Sequence, residues 1–101
     1  KAYYNIANIY FEQSKYNMAI DNYKKAININ HTNPYVYYNL ACVYLKQGNN
    51  KEAKAALIKA ITLKNDIPEI HYNMAYVYRK LNKPKLAKVY LENYNKLTSD
   101  N

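Results

Sequence analysis

Few side chains in this sequence are equipped for covalent or metal chemistry. His31 and His71 stand 40 positions apart, and neither has a Cys, a second His or paired carboxylates at ligand spacing. Cys42, the single cysteine, lacks a neighbouring base to draw off its proton and suits a small apolar wall position. Gly48 is the single glycine, so no glycine-rich loop is available to cradle a phosphate. These residues give catalysis no support and require no metal or cofactor. What the chain offers is non-covalent. Asn5, Asn39 and Asn73 recur at one spacing, each beside a tyrosine, Tyr4, Tyr38 or Tyr72. A carboxamide carries both donor and acceptor, so it can pair with a peptide N–H and C=O together. Phenol rings add broad apolar contact with a hydroxyl at the edge.

The elements that must position these side chains follow from an internal period of 34 residues. Tyr4, Tyr38 and Tyr72 align, as do Ala7, Ala41 and Ala75; Tyr10, Tyr44 and Tyr78; and Ala19, Ala53 and Ala87. Ile6, Leu40 and Met74 form one apolar column, and Tyr23, Leu57 and Leu91 another. Residues 34–67 and 68–101 agree at 13 of 34 positions, where about three would agree by chance. Apolar and small residues recur within each unit at spacings of three and four, the helical period. Helices are predicted near 2–13, 16–29, 34–47, 49–63, 68–81 and 84–98, with Ile6, Ala7 and Tyr10 facing the packing side of the first. Ser14-Lys15, Gly48-Asn49 and Asn82-Lys83 separate the paired helices, and Gly48 and Asn82 suit the left-handed residue that ends a helix. Pro34, Pro68 and Pro84 suit first turns, with Asn82 or Lys83 as the cap of the last helix.

At 101 residues the chain makes one small domain, and a half-apolar composition excludes a disordered tail. One Gly and three Pro argue against a turn-dense β fold. No apolar run approaches the roughly 18 residues that span a bilayer, and no signal-peptide pattern opens the sequence. Opening at Lys1 rather than Met, it reads as a piece of a longer protein. A lone cysteine excludes an internal disulfide framework and fits a cytoplasmic setting.

The net charge of +8 admits an acidic partner, nucleic acid or an anionic membrane. The 16 Asn, 14 Lys, 14 Tyr and 9 Ile all have A/T-rich codons, so the surplus also fits a solvated surface. Eleven of the fifteen basic residues fall in second helices or their flanking turns: Lys15, Lys24, Lys25, Lys51, Lys54, Lys59, Lys64, Lys83, Lys85, Lys88 and Lys96. Such an outer stripe would follow phosphates with salt-sensitive affinity. Fourteen of the fifteen are Lys, however, without the Arg that grips phosphate in a bidentate fork. Nucleic acid therefore stands as an alternative partner, and a membrane as a weaker one.

The unit resembles the tetratricopeptide repeat, whose pattern runs large-x2-Leu-Gly-x2-Tyr…Ala-x3-Phe…Pro. Here it reads Tyr3-x2-Ile6-Ala7-x2-Tyr10…Ala19-x3-Tyr23, then Tyr37-x2-Leu40-Ala41-x2-Tyr44…Ala53-x3-Leu57, then His71-x2-Met74-Ala75-x2-Tyr78…Ala87-x3-Leu91. Ala replaces the usual Gly, and the closing Pro is absent at His31, Asn65 and Ser99. Tyr94 stands where Ala26 and Ala60 precede it, so the last helix is expected to pack differently. The resemblance implies an all-α fold, a right-handed α-solenoid of six helices in three repeats at about 1–33, 34–67 and 68–101. It also implies a concave wall built mainly from the first helix of each pair.

On that wall the helical period gathers Tyr4, Asn8 and Phe11, then Tyr38, Cys42 and Leu45, then Tyr72, Tyr76 and Arg79. Asn5, Asn39 and Asn73 border it, and Lys46, Arg79 and Lys80 set cations at one rim. The expected function is protein–protein interaction, with an extended peptide or partner helix held in the groove and an acidic segment favoured near the cations. Two roles are open to the Asn column: gripping a ligand backbone, or bonding across the junction between repeats. If it grips the ligand, Asn39→Ala weakens binding by at least ~1 kcal/mol without a comparable loss of stability.

Chaperone-binding relatives grip a terminal carboxylate with two Asn and three cations. The Asn positions are filled here by Asn8 and Asn39, but the cationic ones hold Tyr4, Glu69 and Asn73. No such clamp is expected. Self-association is a further alternative, through Tyr90 and Tyr94 on an uncapped last helix.

Overall fold

A computed structural model describes residues 3–99. Its elements are α1 (Tyr3–Glu12), α2 (Tyr16–Ile29), α3 (Pro34–Lys46), α4 (Asn50–Leu63), α5 (Pro68–Lys80) and α6 (Pro84–Thr98). They form three antiparallel hairpins, α1/α2, α3/α4 and α5/α6, stacked in chain order through α2 against α3 and α4 against α5. The result is a helical-repeat solenoid with extents of 37 × 28 × 21 Å.

Each hairpin turns at the same column. Ser14, Gly48 and Asn82 have φ of 61°, 76° and 61°, the left-handed region. The following amide then reaches back five residues: Lys15 N–H to Tyr10 O and Asn49 N–H to Tyr44 O at 2.9 Å, Lys83 N–H to Tyr78 O at 2.8 Å. That closure satisfies a carbonyl at the helix end. It also holds the left-handed backbone at Ser14, where a Cβ makes the conformation unfavourable. Asn82 is thereby spent on the turn. Lys83 is the cap of α6, and its side chain makes no capping bond. Pro34, Pro68 and Pro84 occupy first turns, where a missing N–H costs no helical bond.

The two alanine columns lie at the hairpin crossings. Ala7, Ala19, Ala41, Ala53, Ala75 and Ala87 are all buried, letting backbones approach where a larger side chain would hold them apart. Two apolar clusters result. One joins Ala7, Ala19, Tyr23 and Ala26 to Val36, Leu40 and Val43; the other joins Ala41, Ala53, Leu57 and Ala60 to Ile70, Met74 and Val77. Tyr44 packs against both.

Ile6 departs from the packing role expected of its column. It is 38% exposed, whereas Leu40 and Met74 are buried. Leu40 and Met74 seat on the hairpin that precedes them, and α1 has no such hairpin against it among the described residues.

Candidate functional site

The first helices of the three hairpins line up side by side, and what lies between them differs at the two junctions. Between α1 and α3 the polar side chains bond to one another. The Asn39 amide donates to Tyr4 Oη and to Asn8 Oδ1, each at 3.1 Å. Tyr23, buried on α2, donates its hydroxyl to the same Asn8 oxygen. Both N–H bonds of Asn39 are thus engaged inside the protein, across the repeat boundary. Burial, reinforced by neighbouring Tyr4, raises the Tyr23 phenol well above its ordinary pKa, so it remains a neutral donor.

Between α3 and α5 the surface opens. A pocket of about 350 Å³ is lined by Tyr38, Cys42, Leu45 and Lys46 from α3 and by Tyr72, Asn73 and Tyr76 from α5. A smaller hollow of about 130 Å³ shares Tyr38, Tyr72 and Asn73 and adds Glu69 and Tyr94. Tyr72 and Tyr76 are more than two-fifths exposed. The Asn73 amide donates to Cys42 Sγ at 3.6 Å, a contact with a weak acceptor. Burial pushes Tyr38 up to about 12, helped by the adjacent Cys42, and burial likewise raises the Cys42 thiol. Both groups are therefore neutral at physiological pH. The wall offers hydrogen bonds and ring faces, without a thiolate nucleophile.

Charge is unequal along this groove. Lys46 closes α3, and Arg79 and Lys80 close α5, where the helix dipole favours cations. Lys80 Nζ lies 5.5 Å from the Tyr76 ring centroid, a cation–π distance. Glu69 sits in the first turn of α5, at the opposite end.

The structure thus gathers seven of the sequence-selected residues, Tyr38, Cys42, Leu45, Lys46, Tyr72, Asn73 and Tyr76, around one pocket. It puts Tyr4, Asn8 and Asn39 into the separate hydrogen-bonded junction. Asn5 is exposed and lines neither hollow. Tyr94 lines the groove margin, with its ring 5.2 Å from Tyr72. The exchange of Ala for Tyr in its column was the available signal, but spacing alone does not say where the larger side chain turns.

Tyr90 packs inside its own hairpin, against His71 at 5.8 Å and Tyr78 at 5.6 Å. Tyr90 is half-buried there. Lys15, Lys24, Lys25, Lys51, Lys59, Lys64, Lys83, Lys85, Lys88 and Lys96 are exposed, and Lys54 is half-buried. Among the described residues no three His, Cys, Asp or Glu converge as a metal site. No helix among them is long and apolar enough to cross a membrane.

Stacked hairpins with an open inner face define a helical-repeat scaffold, and comparison with known proteins agrees. A "TPR repeat" family model matches residues 7–48, and a "Tetratricopeptide repeat" model matches 34–67 and 68–101. The chain belongs to the tetratricopeptide repeat family, whose repeats are non-catalytic protein-interaction modules.

No curated protein matches the sequence. Among solved structures, the first TPR of Spaghetti (RPAP3) bound to the HSP90 peptide SRMEEVD superposes with a TM-score of 0.94 at 26% identity, covering 99% of this chain and 79% of that one. The second TPR of the same protein, bound to the same peptide, gives 0.92 at 26%, covering 95% and 89%. A crystal structure of MamA gives 0.92 at 25%, covering 95% of this chain. The chain spans just over half of MamA, 56% of its length.

Proposed function

We propose that this chain binds a polypeptide segment in the groove between α3 and α5. The observation that carries the proposal is the 350 Å³ pocket that gathers Tyr38, Cys42, Lys46, Tyr72, Asn73 and Tyr76 from two repeats. Its exposed phenol rings supply contact area at low entropic cost, as at other protein interfaces. The amide oxygen of Asn73 is available to a backbone N–H. Lys46, Arg79 and Lys80 favour an acidic segment at their end, while Glu69 repels one at the other, so charge sets the ligand's direction. Asn5 adds an exposed amide on α1, whereas Tyr4 and Asn8 belong to the bonded junction.

The HSP90 peptide seen with RPAP3 is acidic, but a carboxylate clamp is not the mode proposed here. Tyr4, Glu69 and Asn73 occupy the cationic positions, and the two N–H bonds of Asn39 are already committed to Tyr4 and Asn8. An anionic tail gains no ion pair there and meets Glu69 as a like charge.

Selection of peptides from a random display library on the chain, with each hit re-measured against Tyr76→Ala and Lys80→Ala, tests this reading. Tyr76→Ala is expected to weaken selected peptides by about 2 kcal/mol, roughly 30-fold. Lys80→Ala should cost only acidic peptides. Hits indifferent to both substitutions, or binding that collapses with salt and competes with single-stranded nucleic acid, would refute it.

A further inference from the structure

The smaller hollow, about 130 Å³, is walled by Tyr38 from α3, by Glu69, Tyr72 and Asn73 from α5, and by Tyr94 from α6. Three phenol rings and a carboxylate thus share one small space. Tyr72 and Tyr94 meet at 56° with centroids 5.2 Å apart, two walls of a corner rather than a flat stack. Glu69 is exposed and enters no ion pair among the described residues. In the same columns the first junction carries Tyr4, Tyr35, Tyr38, Asn39 and Ala60. Two exchanges therefore build the second hollow: Tyr35 to Glu69 brings the negative charge, and Ala60 to Tyr94 brings the third ring.

Ring faces are the negative part of an aromatic quadrupole, so they and a carboxylate together attract a cation. The chain already uses this attraction. Lys25 Nζ lies 5.5 Å from the Tyr3 ring centroid and Lys80 Nζ 5.5 Å from that of Tyr76, but no cation of the described residues stands over Tyr38, Tyr72 or Tyr94. We infer that the hollow takes the ammonium head of a lysine side chain on the bound polypeptide. This assignment rests on the groove's being a polypeptide site, and adds which residue the segment carries at the Glu69 end. Because the hollow shares Tyr38, Tyr72 and Asn73 with the 350 Å³ pocket, a chain lying in that pocket borders both. A lysine ammonium has N–H donors for the Glu69 carboxylate and the Asn73 amide oxygen, and its apolar stem can lie along the rings. The net charge of +8 disfavours a ligand that is basic throughout. The segment is therefore bipolar, with lysine beside Glu69 and acidic residues beside Lys46, Arg79 and Lys80.

Two titrations on the whole chain test this. In the first, n-butylammonium and its uncharged match n-butanol are added while the tyrosine ring signals are followed by NMR. Butylammonium alone should give saturable shifts, and its affinity should fall at least about 5-fold in Glu69→Gln and in Tyr94→Ala. Tyr94→Ala restores the residue type of Ala26 and Ala60, so the fold should tolerate it. In the second, peptides selected on the groove, recognised by their loss of affinity for Tyr76→Ala, are compared with versions in which norleucine replaces lysine. Norleucine should weaken binding at least about 5-fold on the unaltered chain and less than about 2-fold on Glu69→Gln. Butanol acting as strongly as butylammonium, or indifference to Glu69→Gln, would overturn the inference. Groove-bound peptides with no dependence on lysine would overturn it too, while leaving the polypeptide reading of the groove in place. Butylammonium binding with no groove-bound peptide at all would refute that reading and the lysine source together.

Discussion

The two junctions between repeats are built from aligned columns and end in opposite states. At the first, Asn39 meets an amide oxygen and a phenol, and Tyr23 reaches up from the second helix to the same amide. At the second, Asn73 meets a thiol, and Leu57 stands in the Tyr23 column with nothing to donate. Two exchanges, Asn8 to Cys42 and Tyr23 to Leu57, separate a groove face whose polar side chains bond to one another from one that opens into a 350 Å³ hollow. The first junction's own hollow, about 320 Å³, is lined instead by Tyr4, Ala26, Ile29, Asn30, Asn33 and Val36. A buried polar group must be satisfied, and where the protein satisfies it internally little is left for a ligand. Where the partner is a weak acceptor, bonding capacity stays at the surface. The closed junction is scaffold, and on our proposal the open one is the binding site.

The largest contrast should lie in apolar burial. Leu57→Ala removes a fully buried side chain from the second cluster and is expected to cost about 3 kcal/mol in urea unfolding. A loss below about 1 kcal/mol would mean that the second junction is not held by this packing.

Next in size is the asparagine pair. Asn39→Ala leaves Tyr4 and Asn8 short of a donor and is expected to cost about 1–2 kcal/mol of stability, with peptide affinity changed less than about two-fold. Asn73→Ala gives up one weak contact and should cost under about 0.5 kcal/mol while reducing affinity several-fold. This pair of outcomes would give Asn39 the junction role and Asn73 the ligand role, the two roles open to the Asn column. Equal effects of the two substitutions on stability and binding would erase the distinction between the junctions.

The last contrast is a pH dependence. Tyr23 and Tyr38 hold their phenol protons in the folded chain beyond the ordinary value of 10.0, Tyr38 to about 12. The unfolded chain releases those protons first, so their contribution is complete below pH 10 and falls as pH rises through the folded values. The urea midpoint should therefore drop between about pH 10 and 12, and Tyr23→Phe and Tyr38→Phe should each flatten the drop. A slope untouched by Tyr23→Phe would assign the alkaline loss to other groups.

Much of the scaffold was legible in the residues. The period of 34, the alanine columns and the prolines located six helices and their order, because helix ends and hairpin crossings depend on backbone conformation and side-chain size, both local properties. Helical spacing puts Tyr38 and Cys42 on one face of α3 and Tyr72 and Tyr76 on one face of α5, and the repeat resemblance implied that the two faces share a wall. Spacing did not reveal which asparagines were already occupied. That depends on Tyr23, 15 positions away and on another helix, reaching Asn8, and on Asn39 arriving within 3.1 Å of both its acceptors. Nor did the columns show that Tyr94 turns toward Tyr72 or that Tyr90 folds back on His71. Hydrogen bonds and ring contacts between helices are decided over a few ångströms by how the hairpins stack, and that distance is set only when the whole chain has packed.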